Sequence, residues 1–174
     1  VNITATASEA VVAGNTITAT LDTSDNVTLT AAANGTTLVG TYTVGAGDNS
    51  NDLTVSSFSI GTVTDIAGNA MASTTVPGTN IASGSAIVID TTVPTITSFT
   101  STTNNGSYNS ADTVNITATA SEAVVAGNTI TATLDTGDTV LLTAAANGTT
   151  LVGTYTVGAG DNSNDLTVSS FSIG

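Results

Sequence analysis

The sequence predicts an all-β protein built from two antiparallel β-sandwich domains in tandem. The first observation is internal repetition: residues 1–61 recur as residues 114–174, a period of 113 residues. That period is too long for a solenoid rung and suits one complete sandwich domain. The second observation is a series of short runs that alternate apolar and polar residues between turn clusters, a pattern typical of half-buried strands. The two copies differ at three positions: Ser24 and Gly137, Asn26 and Thr139, and Thr28 and Leu141.

The repeat boundaries follow from the same self-match. We expect one repeat over residues 1–90 that lacks its first strand, and a second over residues 91–174 that lacks its last strand. Both are expected to belong to a longer array of nearly identical domains. At this length each domain can bury a core of its own and fold as a unit.

The first three strands are predicted from the second repeat. Residues 95–99 form a short β run after Pro94, and a turn cluster follows at residues 104–107. Residues 114–120 and 129–134 alternate apolar and polar side chains, and a loop at residues 121–128 joins them. This alternation places one set of side chains on the buried face: Val114, Ile116, Ala118, Ile130, Ala132 and Leu134.

Four further strands complete the predicted domain. Residues 140–144 and 150–157 flank Asn147-Gly148, a strong hairpin signal. The apolar residues of 166–168 and 171–173 are out of step, which predicts a bulge near Ser169 in the sixth strand. In the first repeat, residues 85–89 are an apolar final strand. Seven short strands with frequent turns favour a seven-stranded immunoglobulin-like sandwich.

Composition excludes several classes of function. The chain has no Lys, Arg or His against 13 acidic residues, so it cannot neutralise nucleic-acid phosphate or seat on an anionic membrane. Without Cys it forms no disulfide or thiolate metal site. No apolar run approaches the roughly 20 residues of a membrane span. The usual catalytic side chains are absent and no carboxylate pair marks a pocket, so we expect no enzymatic activity.

Four ordered strings identify a resemblance to a known family. They are Val88-Ile89-Asp90-Thr91-Thr92-Val93-Pro94, Ser121-Glu122-Ala123-Val124, Tyr42 to Leu53 and Asp65-Ile66-Ala67-Gly68-Asn69. This set resembles the bacterial Ig-like (Big) repeats of giant surface proteins and adhesins and covers the whole repeat. The resemblance implies an extracellular stalk, on the cell surface or secreted, that is stiffened by calcium.

A calcium site is predicted where neighbouring repeats meet. In a seven-strand sandwich the second-to-third and sixth-to-seventh strand loops gather at the end that the linker enters. Asp90 in the linker is therefore expected to approach Glu122 and the loop represented here by Asp65 and Asn69, with Glu9 as the copy of Glu122. Carboxylate and amide oxygens are the ligands that Ca²⁺ takes. Asp and Asn are also favoured in turns for their backbone hydrogen bonds, and that interpretation stays open.

A second cation site is a weaker prediction. The segment from Asp48 to Asp52, copied from Asp161 to Asp165, resembles the start of an EF-hand loop. It lacks the glycine at the sixth position and the terminal glutamate of that motif, and a strand follows it. A loop is therefore the first interpretation of this segment.

Two structural functions remain after these exclusions. The first is a calcium-stiffened spacer whose partners are the neighbouring repeats of the same chain. The alternative is a filament or sheath in which copies of the repeats pack sideways into a fibre. Eight acids and no cation in each 113-residue period oppose sideways packing unless cations bridge the chains.

Overall fold

The computed structural model describes all residues from Val1 to Gly174 and is built almost wholly of antiparallel strands. The chain divides into two compact units, Val1–Thr92 and Val93–Gly174. The one helical segment is a 3-10 turn, Ile81–Ser83, so no helix here has the length and apolar character needed to cross a membrane.

The first unit contains seven strands. Five form one sheet in the order β1-β4-β3-β2-β6, and the short strands β5 and β7 pair with each other. All neighbouring pairs are antiparallel. The strands are β1 (Asn2–Val11), β2 (Thr16–Leu21), β3 (Asn26–Thr30), β4 (Gly35–Thr41), β5 (Asn49–Ser50), β6 (Val55–Ile60) and β7 (Ile89–Asp90).

The second unit contains six strands in a single sheet, ordered β13-β10-β11-β12-β9-β8. The repeated segment therefore forms the same ladder in both units, with β8 added along the outer edge of β9 in the second. The strands are β8 (Ile96–Thr100), β9 (Thr113–Val124), β10 (Thr129–Leu134), β11 (Thr139–Thr143), β12 (Gly148–Thr156) and β13 (Val168–Ile173).

In each sheet the fewest residues pair between the third and fourth strands of the repeated segment, a contact here called the thin joint. A single register pair, Thr30 with Val39, joins β3 to β4, and Thr143 with Val152 joins β11 to β12. Strands on both sides of this thin joint contribute to one hydrophobic cluster in each unit. Two half-sheets that enclose a shared core in this way give the layered character of a β-sandwich.

The predicted apolar face is confirmed. Val114, Ile116, Ala118, Ile130, Ala132 and Leu134 are all buried. The threonines between them are only partly buried, as expected when one face of a strand packs on the core. The connection through Asn147 and Gly148 joins β11 to β12 as a wider loop than a tight hairpin, because these strands pair only at Thr143 with Val152 and Gly148 already pairs with Val124 of β9.

The predicted bulge in the sixth strand is confirmed too. Thr133 pairs with Ser170 and Leu134 pairs with Val168, which leaves Ser169 as the extra residue. The Ser169 hydroxyl donates to the Thr133 carbonyl oxygen at 3.0 Å. Side-chain bonding of this kind satisfies backbone groups that the bulge leaves without a ladder partner.

Two sequence predictions differ from the structure. The final strand predicted at residues 85–89 is reduced to Ile89–Asp90, which pairs with β5, and Val88 is 64 % exposed. The loop predicted at residues 121–128 begins later, because β9 continues to Val124. A bulge makes this extension possible: residues 120–123 lie opposite the single residue Thr149.

Candidate functional site

Glu9 and Glu122 occupy equivalent bulges rather than loops. Residues 7–10 face Thr36 in the first unit, as residues 120–123 face Thr149 in the second. Bulges re-aim side chains and are over-represented beside functional sites. Both glutamates are thus displaced from the regular alternation of their strands, a feature that the sequence did not reveal.

The two copies of this glutamate have different surroundings. Glu9 is exposed, whereas Glu122 is half-buried and its Oε1 atom is buried with no hydrogen-bond donor. In the second unit β8 begins beside the bulge, where Ser121 N–H donates to the Thr95 carbonyl oxygen at 2.7 Å. Since the chain has no Lys, Arg or His, no cationic side chain of this chain can satisfy that oxygen.

Asp65 and Asn69 close a loop beside the end of β1. Val11 pairs with Asp65 in an isolated bridge, and Val12 N–H donates to the Thr64 carbonyl oxygen at 3.0 Å. The second-to-third strand connection and this later loop therefore meet at one end of the first unit, as predicted.

The Asp65 carboxylate is already engaged by its own loop. Asn69 donates to it twice at 2.7 Å, from the backbone N–H to Oδ1 and from the side-chain amide to Oδ2. The Asn69 side chain and then its backbone N–H lower the pKa of Asp65 below 3.8. This geometry is that of a self-contained Asx-type turn, the second interpretation that the sequence left open.

Asp90 lies in β7, where it pairs with Asn49 of β5, whereas Asp65 pairs with Val11 at the end of β1. Its Oδ1 accepts a hydrogen bond from Thr92 N–H at 3.0 Å and the residue is exposed. Asp90 belongs to the first unit and Glu122 to the second, so their convergence stays a prediction. Nowhere in the chain do three or more acidic side chains form a group suited to a metal ion.

Asp48 holds a tight turn together. Its Oδ2 accepts hydrogen bonds from the Tyr42 hydroxyl at 2.5 Å and from Gly45 N–H at 2.6 Å. These bonds, the tyrosine's first, lower the pKa of Asp48, while burial and the bond to Asp48 raise that of Tyr42.

The copied turn repeats this geometry. Asp161 Oδ2 accepts from the Tyr155 hydroxyl at 2.5 Å and from Gly158 N–H at 2.6 Å. The pKa of Asp161 is lowered by the Tyr155 bond in the same way. Sequence reasoning missed this pair, although the recurrence of Tyr and Asp at one spacing in both copies is the signal that could have found it.

The neighbouring acids also hold backbone in place. Asp52 Oδ1 accepts from Ile87 N–H at 3.2 Å. At its copy Asp165 the backbone N–H, and not the carboxylate, makes a hydrogen bond, which it donates to the Ser163 hydroxyl at 3.2 Å. The Asp22 carboxylate accepts two hydrogen bonds, from the Ser50 hydroxyl to Oδ2 at 2.6 Å and from Thr54 N–H to Oδ1 at 3.0 Å. Its pKa is raised by burial, but the bonds outweigh that effect and the net shift is downward. The loop interpretation of the Asp48 to Asp52 segment thus has a physical basis.

Comparison of the chain with protein-family models, with curated proteins and with solved structures finds no match. The features that bear on function are therefore those of the chain itself: acidic residues without any basic side chain, two equivalent glutamate bulges, and turns held by hydrogen bonds to carboxylates.

Proposed function

We propose that this chain is a structural spacer: two immunoglobulin-like repeats of a tandem-repeat stalk, carried on an extracellular surface protein or adhesin. The observation that carries the proposal is that one repeated segment forms the same five-stranded ladder in both units, each around a hydrophobic cluster of its own. Domains that each fold around their own core are suited to stacking end to end, where length and reach are the function.

The order of the strands supports the immunoglobulin-like assignment. In that fold the first, second, fifth and fourth strands are neighbours in one sheet, and the third and sixth are neighbours in the other. Reading from β8, the second unit has its first, second, fifth and fourth strands in sequence, followed by the third and the sixth. The fourth strand, β11, departs from that grouping: it pairs with β10 along five register pairs and with β12 at only one, so it lies with the third and sixth strands.

We further propose that Ca²⁺ stiffens this stalk through Glu122 and the other predicted ligands. The buried, donorless Oε1 of Glu122 supports this part, because a carboxylate oxygen taken out of water needs a donor or a cation. Hard oxygen ligands suit Ca²⁺, and the 13 acids of the chain have no basic side chain to offset them. The fully bonded Asp65 carboxylate makes that residue a weaker candidate than Glu122.

Calcium titration of the whole chain by calorimetry tests this proposal. We expect saturable binding that Glu122→Gln weakens at least tenfold, since the substitution removes a charged ligand while keeping the side chain's shape. Asp112→Asn is the matched control: it removes one negative charge from an exposed loop residue and should change the affinity by less than about twofold. Equal effects of the two substitutions would show that calcium affinity depends only on the net charge of the chain and would contradict a site at Glu122.

A further inference from the structure

The chain contains six Asn-x-Ser/Thr tripeptides, or sequons, the motif that accepts N-linked oligosaccharide in secreted proteins. The structure divides them into two groups of three. The strand sequons have an apolar middle residue and lie within strands: Asn2-Ile3-Thr4, Asn26-Val27-Thr28 and Asn115-Ile116-Thr117. The glycine sequons have glycine in the middle, and their asparagine lies outside the strands: Asn34-Gly35-Thr36, Asn105-Gly106-Ser107 and Asn147-Gly148-Thr149.

The strand sequons are held in their sheets. Their middle residues are all buried in the core: Ile3, Val27 and Ile116. The Asn115 side chain is engaged as well, because its Oδ1 accepts hydrogen bonds from the hydroxyls of Thr102 and Thr117, both at 3.2 Å. An enzyme could take up such a tripeptide only by drawing an apolar side chain out of the core and opening the strand ladder. The fold therefore protects these three asparagines.

The Asn34 sequon is presented to solvent instead. Asn34 and Thr36 are both exposed. Asn34 Oδ1 accepts a hydrogen bond from Ala13 N–H at 2.8 Å, which fixes the side chain while Nδ2, the atom that carries the sugar in an N-glycan, has no acceptor within the chain. A Cβ added to Gly35 would meet nothing within 4 Å, so the space around the middle residue is open.

The copied sequon in the second unit has the same geometry. Asn147 and Thr149 are exposed, and Asn147 Oδ1 accepts from Ala126 N–H at 2.8 Å. The space beside Gly148 is likewise open. The arrangement thus arises independently in both units, which makes it a property of the repeated sequence.

The third glycine sequon lies in the loop after β8. Asn105, Gly106 and Ser107 are all exposed. The Tyr108 hydroxyl donates to the Asn104 carbonyl oxygen at 2.6 Å and so holds this loop in shape. Exposed loops on a rigid scaffold are where modifying enzymes reach a folded chain.

We propose that Asn34, Asn105 and Asn147 are N-glycosylation sites, and that the three strand asparagines stay unmodified in the folded chain. The sugar donor is an oligosaccharide linked to a lipid pyrophosphate. Nδ2 attacks the anomeric carbon and forms a C–N bond, while the C–O bond to the pyrophosphate breaks and its electron pair leaves with the lipid pyrophosphate. One Nδ2 proton passes to a base of the transferring enzyme. The proposal rests on the extracellular location proposed above, since sequons are modified on secreted chains.

Glycans at these positions favour the spacer over the sideways-packed fibre. Asn34 and Asn147 occupy the same place in consecutive repeats, between the fourth and fifth strands of the predicted domain. N-linked sugars are bulky and solubilising. At matched surface loops they leave the ends of each repeat free for stacking, and they obstruct lateral contacts along that side.

A cell-free transfer reaction on the purified, folded chain tests the proposal. The chain is incubated with an oligosaccharyltransferase that accepts Asn-x-Ser/Thr and with its lipid-linked oligosaccharide. Digestion at aspartate and mass spectrometry then locate the sugar, since the chain has no Lys or Arg for trypsin. We expect sugar on the three glycine sequons. Thr36→Ala should reduce modification of Asn34 at least about tenfold, whereas Thr36→Ser, which keeps the hydroxyl, should preserve it. Thr4→Ala is the matched control in a strand sequon and should change nothing.

Short peptides that span each of the six sequons separate the effect of sequence from that of the fold. All six peptides should accept the sugar, because none is held in a sheet. Absence of sugar on the glycine sequons of the folded chain, or equal modification of the strand sequons in it, would overturn the proposal. So would an unchanged yield at Asn34 in Thr36→Ala. The reaction contains no cell and no added calcium chelator, so its failure leaves the proposed stalk and its calcium site to their own tests. Labelling of intact cells with an antibody to the chain tests the location separately.

Discussion

Replacing Gly40 with alanine tests how closely β4 packs against β3 in the first unit. A Cβ at this position would lie 2.4 Å from the Thr28 carbonyl oxygen and 2.7 Å from Leu29 Cδ2. The first of these atoms belongs to the backbone of β3, which cannot rotate away as a side chain can. The thin joint between β3 and β4 thus requires glycine for the close approach of the two strands.

The expected cost follows from this overlap. Overpacking a buried site typically destabilises by about 1–3 kcal/mol, and a backbone contact this short places Gly40→Ala at about 2 kcal/mol or more. In a domain of this size that cost lowers the melting temperature of the first unit by about 8–16 °C. Differential scanning calorimetry of the whole chain measures it, with the unaltered second unit as an internal reference.

Gly35→Ala is the matched control, because Gly35 lies in the same strand and its added Cβ would meet nothing within 4 Å. Alanine is favoured over glycine in a strand by about 0.5–1 kcal/mol, so this variant should be neutral or slightly stabilised. Equal shifts for Gly40→Ala and Gly35→Ala would refute the proposed close approach.

Two further predictions concern the braced turns. Tyr42→Phe removes the hydroxyl that Asp48 accepts, so the amides of Gly45 and Asp48 should exchange with deuterium faster, whereas Tyr108→Phe should leave them unchanged. The folded pKa of Asp48 is lowered below 3.8, so its contribution to stability is complete above that value and is lost as the pH falls through the folded pKa. The stability difference between the wild type and Asp48→Asn, from urea unfolding, should therefore be largest near neutrality and shrink below pH 3.8; a difference constant down to strongly acidic pH would contradict this.

The sequence predicted the parts of the fold that depend on local pattern. Alternation in residues 114–120 and 129–134 identified the buried face, and the phase change near Ser169 identified the bulge. Both signals arise from period-two geometry within a single strand.

Features that depend on distant contacts were missed or misplaced. The chain over residues 62–92 follows an irregular path because its partners are distant in sequence: Asn80 bonds to Val55 and Ile87 to Leu53. The apolar run before Asp90 resembles a full strand, yet only Ile89–Asp90 pairs. The bulge at Glu122 depends on the register in which β12 pairs with β9, which no pattern within one strand encodes.

The candidate site was only partly predictable for the same reason. The residue types indicated oxygen ligands. In the folded chain, however, both carboxylate oxygens of Asp65 accept hydrogen bonds from Asn69, and Oδ2 of Asp48 accepts hydrogen bonds from Tyr42 and Gly45. Glu122 alone has a buried oxygen without a donor. Hydrogen-bond satisfaction, which is a property of the folded chain, separates these acids where composition could not.

Stiffening of the chain by calcium is the central claim, and a distance measurement between the two units tests it most directly. The chain has no Cys, so cysteines introduced at Thr37 and at its copy Thr150, both exposed, take spin labels at those two positions alone. Pulsed electron resonance then gives the distribution of label distances. We predict a narrow distribution in Ca²⁺ and a broad one in EGTA, with Glu122→Gln broad in both. Distributions of equal width with and without calcium would contradict the account.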